Sequence, residues 1–244
     1  MIVIHSHLNS PSFHLAAEEY IFSQRTEDVL LFYVNDSSVI LGSNQVTMNE
    51  ANISFCAENN IPILRRMSGG GAVYHDHGNL NYSFISNVKE GKPVLSADFL
   101  VPVVDVLKSM NIPVEIGKRK DLWLPGGYKV SGTASHVSKN RQLHHGTLLY
   151  DTNLDHLQQS LTVIVKDYSL KGIASVPSVV KNIRTFIVEH TGASPDSHVF
   201  FDVFVNKFAV YYQTPVLSFT QTEMSAVRHI EAQKYTQNDW IFKK

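Results

Sequence analysis

Between residues 65 and 81 the chain reads Arg65-Arg66-Met67-Ser68-Gly69-Gly70-Gly71-Ala72-Val73-Tyr74-His75-Asp76-His77-Gly78-Asn79-Leu80-Asn81. Three successive glycines have no side chains to bury. What they offer is positive φ and close approach of a ligand to backbone N–H groups. Two arginines precede them, at the end of the apolar run Ile61-Pro62-Ile63-Leu64, and an alternating stretch leaves them from Ala72 to His75. The segment reads as strand, glycine turn with a cationic rim, strand. Amides beside guanidinium groups suit a phosphate or another anion. The same residues also describe a glycine-rich hairpin turn with two surface arginines, and the loop alone does not decide between these readings.

Two further stretches carry reactive side chains. In Lys129-Val130-Ser131-Gly132-Thr133-Ala134, a single strand would put Lys129, Ser131 and Thr133 on one face. A compact ammonium there could neutralise a carboxylate and a phosphate together. An exposed strand lysine is the plain alternative. In His144-His145-Gly146-Thr147-Leu148-Leu149, adjacent histidines on a strand point to opposite faces, so one can face a site while the other lies in the core or on the surface. His5/His7 and His75/His77 share faces, but no clear carboxylate or cysteine set accompanies them to complete a zinc site. There is no Gly-x-Ser-x-Gly elbow and no Gly-x-x-x-x-Gly-Lys-[Ser/Thr] phosphate loop.

These residues need elements to hold them. Residues 2–5 read as a short strand. Ser10 is an N-cap followed by Pro11 at the first helical position, and Phe13, Ala16, Ala17, Tyr20 and Ile21 continue at helical spacing beside Glu18 and Glu19. Val29–Val34 and Ser38–Leu41 are apolar runs separated by Asn35-Asp36-Ser37, a hairpin signal. Residues 49–59 read as a helix carrying Cys56, and residues 79–85 as a strand with Leu80, Tyr82 and Phe84 on one face. The clearest helix spans 96–110, capped by Ser96, with Phe99, Val103, Val106 and Leu107 as its stripe and Pro102 as an interruption. A short strand at 114–116, the cluster Lys118-Arg119-Lys120-Asp121 and the turn Pro125-Gly126-Gly127 follow. Strands at 128–134 and 142–150 pair around Ser138-Lys139-Asn140. Helices are expected at 154–161, 177–190, 199–212 and 220–235. The pattern predicts an α/β (α+β) fold: a mixed, largely antiparallel sheet with flanking helices, in one domain over 1–244 with no dividing linker.

Composition removes some functions. The formal net charge of −1 gives no general attraction to nucleic acid or to an anionic membrane. A single cysteine, Cys56, forbids an intrachain disulfide and a multi-cysteine zinc site. No window approaches the roughly 18 apolar residues of a spanning helix. The N-terminal residues lack the charged region and long apolar core of a signal peptide, so a cytoplasmic protein is the simplest expectation.

Taken together, the three stretches, in this order and spacing, resemble lipoate–protein ligase A. Leu15-Ala16-Ala17-Glu18-Glu19 and Lys171-Gly172-Ile173-Ala174-Ser175-Val176 support the resemblance, which is strong from about Phe13 to Asn182. It implies a catalytic domain similar to that of biotin–protein ligase and, more distantly, of class II aminoacyl-tRNA synthetases. It also implies ATP- and Mg²⁺-dependent activation of lipoate to lipoyl-AMP. Transfer to a lysine of a carrier domain would follow, the carrier being an E2 subunit of a 2-oxoacid dehydrogenase or the H protein of glycine cleavage.

By position, Arg66, Gly71, Ala72, Val73, Tyr74 and Asp121 match adenylate-binding residues, and Ser68, Gly69, Gly70 and His145 fall to lipoate. Lys129 matches the lysine that touches both ligands. Lys120 replaces the middle Asn of the family's Arg-Asn-Asp. Leu15, Val73, Tyr82 and Leu148 are candidates for an apolar slot, and loops 118–127 and 168–178 for closing the site, with Gly126-Gly127 and Gly172 as hinges. No protein ligand to the metal is assigned. Full ligases carry a small accessory domain, and this chain is expected to lack one. The alternatives are therefore a lipoyl transferase using lipoyl-AMP, the catalytic half of a ligase completed by a separate accessory polypeptide, a cysteine-dependent octanoyl transferase, or a non-catalytic lipoate-binding module. Cys56 is expected to be buried and inert.

Overall fold

The computed structural model describes residues 1–89, 96–164, 166–167 and 169–243. The chain opens with β1 (Ile2–Ser6), α1 (Pro11–Gln24), β2 (Val29–Val34) and β3 (Ser38–Leu41). It continues through α2 (Thr47–Glu50), α3 (Ile53–Glu58), β4 (Ile63–Arg65), β5 (Val73–His75) and β6 (Asn79–Asn87). A 3-10 turn (Asp98–Leu100) enters α4 (Val101–Ser109), followed by β7 (Glu115–Ile116), β8 (Leu122–Leu124), β9 (Tyr128–Ser131), β10 (Thr133–Ser138) and β11 (Arg141–Leu149). The rest is α5 (Leu154–Leu161), α6 (Ile183–Thr191), α7 (Ser197–Tyr212), β12 (Val216–Leu217), α8 (Gln221–Ile230), a π-helical turn (Glu231–Tyr235) and α9 (Asn238–Ile241).

The main sheet has six strands in the order β10-β11-β6-β2-β1-β12. It is antiparallel from β10 to β2 and parallel across β2, β1 and β12. Both faces are covered; β2 is apolar throughout, and the two-residue alternation decides which core each of its side chains enters. On β2, Leu30 and Phe32 join Phe84 of β6 and Val103, Leu107, Phe204 and Phe208 of α4 and α7. Leu31 and Tyr33 face the other way, toward Phe13, Ala17 and Ile21 of α1 and Val227 of α8. Each such burial contributes about 2 kcal/mol. Two small sheets, β4-β3-β5 and β7-β8-β9, stand beside the large one.

The mixed sheet with flanking helices is as expected from the sequence, but several elements differ. β2 and β3 form no hairpin: β2 lies in the main sheet and β3 in a small one, because Asn35 turns inward to bond the buried His14 and His75. β4 and β5 are not partners either; each flanks β3. The strand expected at 128–134 breaks at Gly132, since β9 pairs with β8 while β10 pairs with β11. Asn52 divides the helix expected at 49–59 by capping α3 through Phe55 N–H. Pro102 sits in the first turn of α4, where a missing N–H costs nothing, and does not interrupt it. The helix expected at 177–190 starts only at Ile183, because the chain before it runs along β9, where Lys129 N–H donates to Val179 O at 2.9 Å.

Arg65 ties the end of the described chain to this frame. It is fully buried and donates from Nε to Ile241 O (2.8 Å), from Nη1 to Gly42 O (2.8 Å) and Gln45 O (2.7 Å), and from Nη2 to Thr47 Oγ1 (3.1 Å). Trp240 Nε1 returns a hydrogen bond to Arg65 O at 2.8 Å. Arg65→Met should leave these carbonyls without donors and lower unfolding stability by about 3 kcal/mol, read as a shift of the urea midpoint. Arg65→Lys should recover less than half of that, because an ammonium cannot reproduce the guanidinium fork.

Candidate functional site

A cavity of about 330 Å³ opens where the glycine loop, β9, β10, β11 and residues 173–176 meet. Leu15, Tyr33, Ile40 and Val73 form one side of it and belong to a single apolar cluster. Arg119, Asp121 and Lys129 supply charge to the lining.

The glycine loop takes its shape from Arg66. This guanidinium is buried and donates from Nε to Ser68 Oγ (2.9 Å), from Nη1 to Ile40 O (3.0 Å), and from Nη2 to Gly69 O (2.5 Å) and Gly71 O (2.8 Å). Burial pushes it down to about 10, which leaves it protonated at neutral pH. Neither arginine forms the solvent-facing rim that the sequence suggested. Arg66 does border the cavity, but four of its five donors are spent on the protein. Gly70 has φ +86, a conformation that disfavours any side chain. A Cβ on Gly71 would lie 2.9 Å from Ser175 Oγ, so here it is protein that approaches the loop closely.

Behind the loop runs a buried polar chain. Ser68 Oγ lies 2.6 Å from His145 Nε2, and His145 Nδ1 lies 2.9 Å and 3.0 Å from the two oxygens of Glu18. Ser68 already accepts from Arg66. Its own proton is therefore free for His145 Nε2, which in the neutral ring leaves the other proton on Nδ1, facing Glu18. Tyr33 and Ser83 hydroxyls also donate to Glu18 Oε1. Burial works to raise the Glu18 carboxyl, but His145 and these hydroxyls outweigh it and hold the group below its usual range. His144 faces the other way, stacked on Phe99 with ring centroids 4.2 Å apart.

Opposite the loop, Lys129 Nζ lies 3.3 Å from Asp121 Oδ2, with Arg119 Nη2 at 3.8 Å. Burial lowers the Lys129 ammonium, and Asp121 partly restores it. Asp121 Oδ2 is buried without a hydrogen bond. Lys120 has φ +58, a conformation that Asn adopts more readily than Lys.

Arg66, Gly70, Gly71, Ala72, Val73, Asp121, Lys129 and His145 thus border one cavity. Ser68 and Gly69 are not in its lining: Ser68 is fully buried beneath the loop. Tyr74 turns its ring into the core beside Cys56, its hydroxyl on Ser37. Of the slot candidates, Leu15 and Val73 line the cavity, whereas Tyr82 and Leu148 lie in the core on the other face of the main sheet. The sequence reading missed Tyr33, Ile40, Asn81, Ala134 and Thr147 in the lining. Their only signal was membership of strands whose pairing the sequence does not state. His75 borders the cavity and is hydrogen-bonded to Asn35, while His77 is exposed and bonded to Asp36. Among the described residues no three His, Cys, Asp or Glu side chains are placed to hold a metal ion.

The lipoyl protein ligase A/B catalytic-domain profile matches residues 10–209. The chain belongs to this family. Lipoate-protein ligase LplJ of Bacillus subtilis (strain 168) is 35% identical over 245 residues, covering 99% of this chain and 73% of that protein. Lipoate–protein ligase 1 of Staphylococcus aureus (strain Mu50) is 39% identical over 187 residues, covering 76% of this chain and 57% of its own length. Among solved structures, a bi-partite lipoate protein ligase of Thermoplasma acidophilum superposes with a TM-score of 0.80 at 25% identity, covering 99% of this chain and 96% of that one. A lipoate-protein ligase A bound with ATP gives 0.79 at 26% identity, covering 99% of each chain. The lipoyl protein ligase fold therefore extends over nearly all of the present chain.

The glycine loop and the buried histidines bonded to Asn35 carry two expectations. Gly70→Ala should destabilise the loop by about 1–2 kcal/mol and weaken binding of nucleotide or lipoate, measured by calorimetry; unchanged binding would make the loop a structural turn only. His14 and His75 are both buried and held neutral, pushed down to about 4 and about 3 respectively. The unfolded chain protonates them near 6.5. Their contribution is therefore complete above that pH and is lost as pH falls toward 4, at about 1.4 kcal/mol per pH unit each. His14→Gln should flatten the slope of stability against pH between 6.5 and 4.5 by roughly that amount.

Proposed function

We propose that this chain is a lipoate–protein ligase catalytic domain, with residues 1–244 acting as one unit. It activates lipoate with ATP to lipoyl-AMP and transfers the lipoyl group to a lysine of a carrier domain. The observation that carries the reading is the convergence of Lys129, Asp121 and the glycine-loop amides on one cavity whose other side is apolar. The curated relatives are named as lipoate ligases, and the two solved structures are described with an E2 lipoyl domain and with ATP.

In the first step a lipoate carboxylate oxygen attacks the α-phosphorus and pyrophosphate leaves with the bonding pair. Two anions must meet, and Lys129 is placed to touch both, supported by the loop amides. Its partial burial strengthens this charge, since little water remains to screen it. Leu15, Ile40 and Val73 hold the tail, with His145 on the same lining. Arg66 acts mainly by fixing the loop, so the adenylate contacts expected from Arg66 and Tyr74 rest on Ala72, Val73 and Lys129, and the lipoate contact expected from Ser68 rests on Gly70, Lys129 and His145. In the second step the neutral amine of the carrier lysine attacks the acyl carbonyl carbon, AMP leaves with the bonding pair, and the amine proton goes to solvent. No enzyme nucleophile is required.

Mg²⁺ fits as a companion of ATP. Asp121 offers a buried carboxylate whose Oδ2 is held only by the Lys129 ion pair at 3.3 Å and by Arg119 at 3.8 Å, and Mg²⁺ commonly takes one or two carboxylates together with phosphates and water. It would offset phosphate charge. E2 subunits and the glycine cleavage H protein are the proposed carriers. A cysteine route is disfavoured by Cys56, which is buried beside Tyr74 with its thiol pushed up by burial.

Purified protein given lipoate, ATP and an apo lipoyl domain should add one lipoyl mass to that domain. Addition from preformed lipoyl-AMP but not from lipoate plus ATP would instead mark a lipoyl transferase, or a ligase that needs an accessory polypeptide. Lys129→Met should cut carrier modification at least about a hundredfold with an unchanged melting curve. Cys56→Ser should retain most activity; an acyl-Cys56 adduct with loss of activity would move the protein to the thioester class.

A further inference from the structure

Residues 171–179 form a strap without regular secondary structure, and Ile173, Ala174, Ser175 and Val176 close one wall of the cavity. The strap's far end is held by Lys129 N–H to Val179 O and Arg119 Nη2 to Ser178 Oγ, each at 2.9 Å, and its cavity end by a cluster around Ser175. Ser175 Oγ accepts from Ala72 N–H at 2.9 Å and from Gln45 Nε2 at 3.0 Å. Gln45 Nε2 also donates to Ile173 O at 3.2 Å, and Gln45 Oε1 accepts Gly42 N–H at 2.9 Å. Gln45 is 2% exposed and does not border the cavity. Its backbone carbonyl is gripped by Arg65 Nη1 at 2.7 Å, so the side chain starts from a fixed base. Two backbone donors complete the seam: Ile173 N–H to Asn44 O and Ser175 N–H to Glu50 Oε2, each at 3.0 Å.

A hydroxyl has two lone pairs and one proton. With both acceptor directions of Ser175 occupied, its proton is the group left to meet a ligand. Gln45 therefore fixes both the position of the strap and the orientation of a donor beside the glycine loop.

We infer that Gln45 is a positioning residue that keeps the strap closed over the acyl adenylate and so protects it from water. The inference rests on the ligase reading. An exposed mixed anhydride is lost when a water oxygen attacks the acyl carbon: the acyl C–O bond to phosphate breaks, AMP leaves with its electrons, and lipoate and a proton are released. A closed strap favours transfer to the carrier amine over this loss.

The test uses Gln45→Met, which keeps the length of the side chain and removes its donors, and Ser175→Ala, which removes the clasped hydroxyl from the strap side. In amide hydrogen exchange, Ala72, Ile173 and Ser175 should exchange about tenfold faster in Gln45→Met, while β6 amides stay protected. With preformed lipoyl-AMP and an apo lipoyl domain, AMP released per carrier modified should rise about fivefold or more in both variants. Unchanged exchange at those amides overturns the clasp. Faster exchange with an unchanged AMP ratio overturns the shielding role. Should Gln45→Met fail to fold, an unchanged AMP ratio in Ser175→Ala overturns the inference by itself. Wild-type protein that makes no lipoyl-AMP from lipoate and ATP counts against adenylation, and both arms above remain decisive.

Discussion

A guanidinium without access to water must hand its N–H groups to acceptors inside the protein, and the acceptors available to Arg66 are the carbonyls of the glycine loop. This constraint organises the site. Glycines alone would leave the loop free to sample many shapes, at a large entropic cost for any ligand that needed one of them. Arg66 selects one shape by bonding Gly69 O and Gly71 O from a single nitrogen while Ile40 O anchors the other. Ser68, His145 and Glu18 then extend the constraint to α1, so the helix that covers the main sheet also sets the loop. Removing one member would strand buried partners, which is why such a chain behaves as a unit.

The opposite wall follows a different logic. Lys129 and Asp121 form a partly buried ion pair whose ammonium is shared among few groups. An anion entering the cavity would meet a cation that is placed but not neutralised by several acids, together with amides that the loop has already oriented. The free energy of ordering these groups is spent during folding, so binding need not supply it. The strap closes the remaining side through hydrogen bonds of its backbone and of Ser175, contacts that can open without disturbing a core.

Much of this was legible in the sequence where the reason was local. Ser10-Pro11 announced the start of α1, the alternation in residues 79–85 announced β6, and the opposite orientations of His144 and His145 followed from strand geometry alone. The glycine, lysine and histidine stretches were found as a set because their order and spacing resemble one family. What failed depended on distant partners. Nothing near Asn35 shows that the chain leaves one sheet for another, and nothing near Gly132 shows that β9 and β10 have different neighbours. The inward turn of Arg66 was equally hidden: two arginines beside glycines read as an anion rim until the carbonyls that bury them are known. Tyr33 and Ile40 looked like ordinary strand residues because their roles come from what lies across the cavity, and Gln45 like an ordinary turn residue because its partners are in a strap about 130 residues later.

The central claim is that Arg66 builds the loop while Lys129 and the loop amides receive the ligand. The most direct test is a crystal structure with a non-hydrolysable lipoyl-adenylate analogue in which a sulfamoyl group replaces the phosphate. The account predicts the sulfamoyl group within hydrogen-bond distance of Lys129 Nζ, the tail against Leu15, Ile40 and Val73, and the Arg66 bonds to Gly69 and Gly71 intact. An Arg66 side chain swung away from those carbonyls into a bidentate contact with the analogue, or an analogue bound outside this cavity, would contradict it.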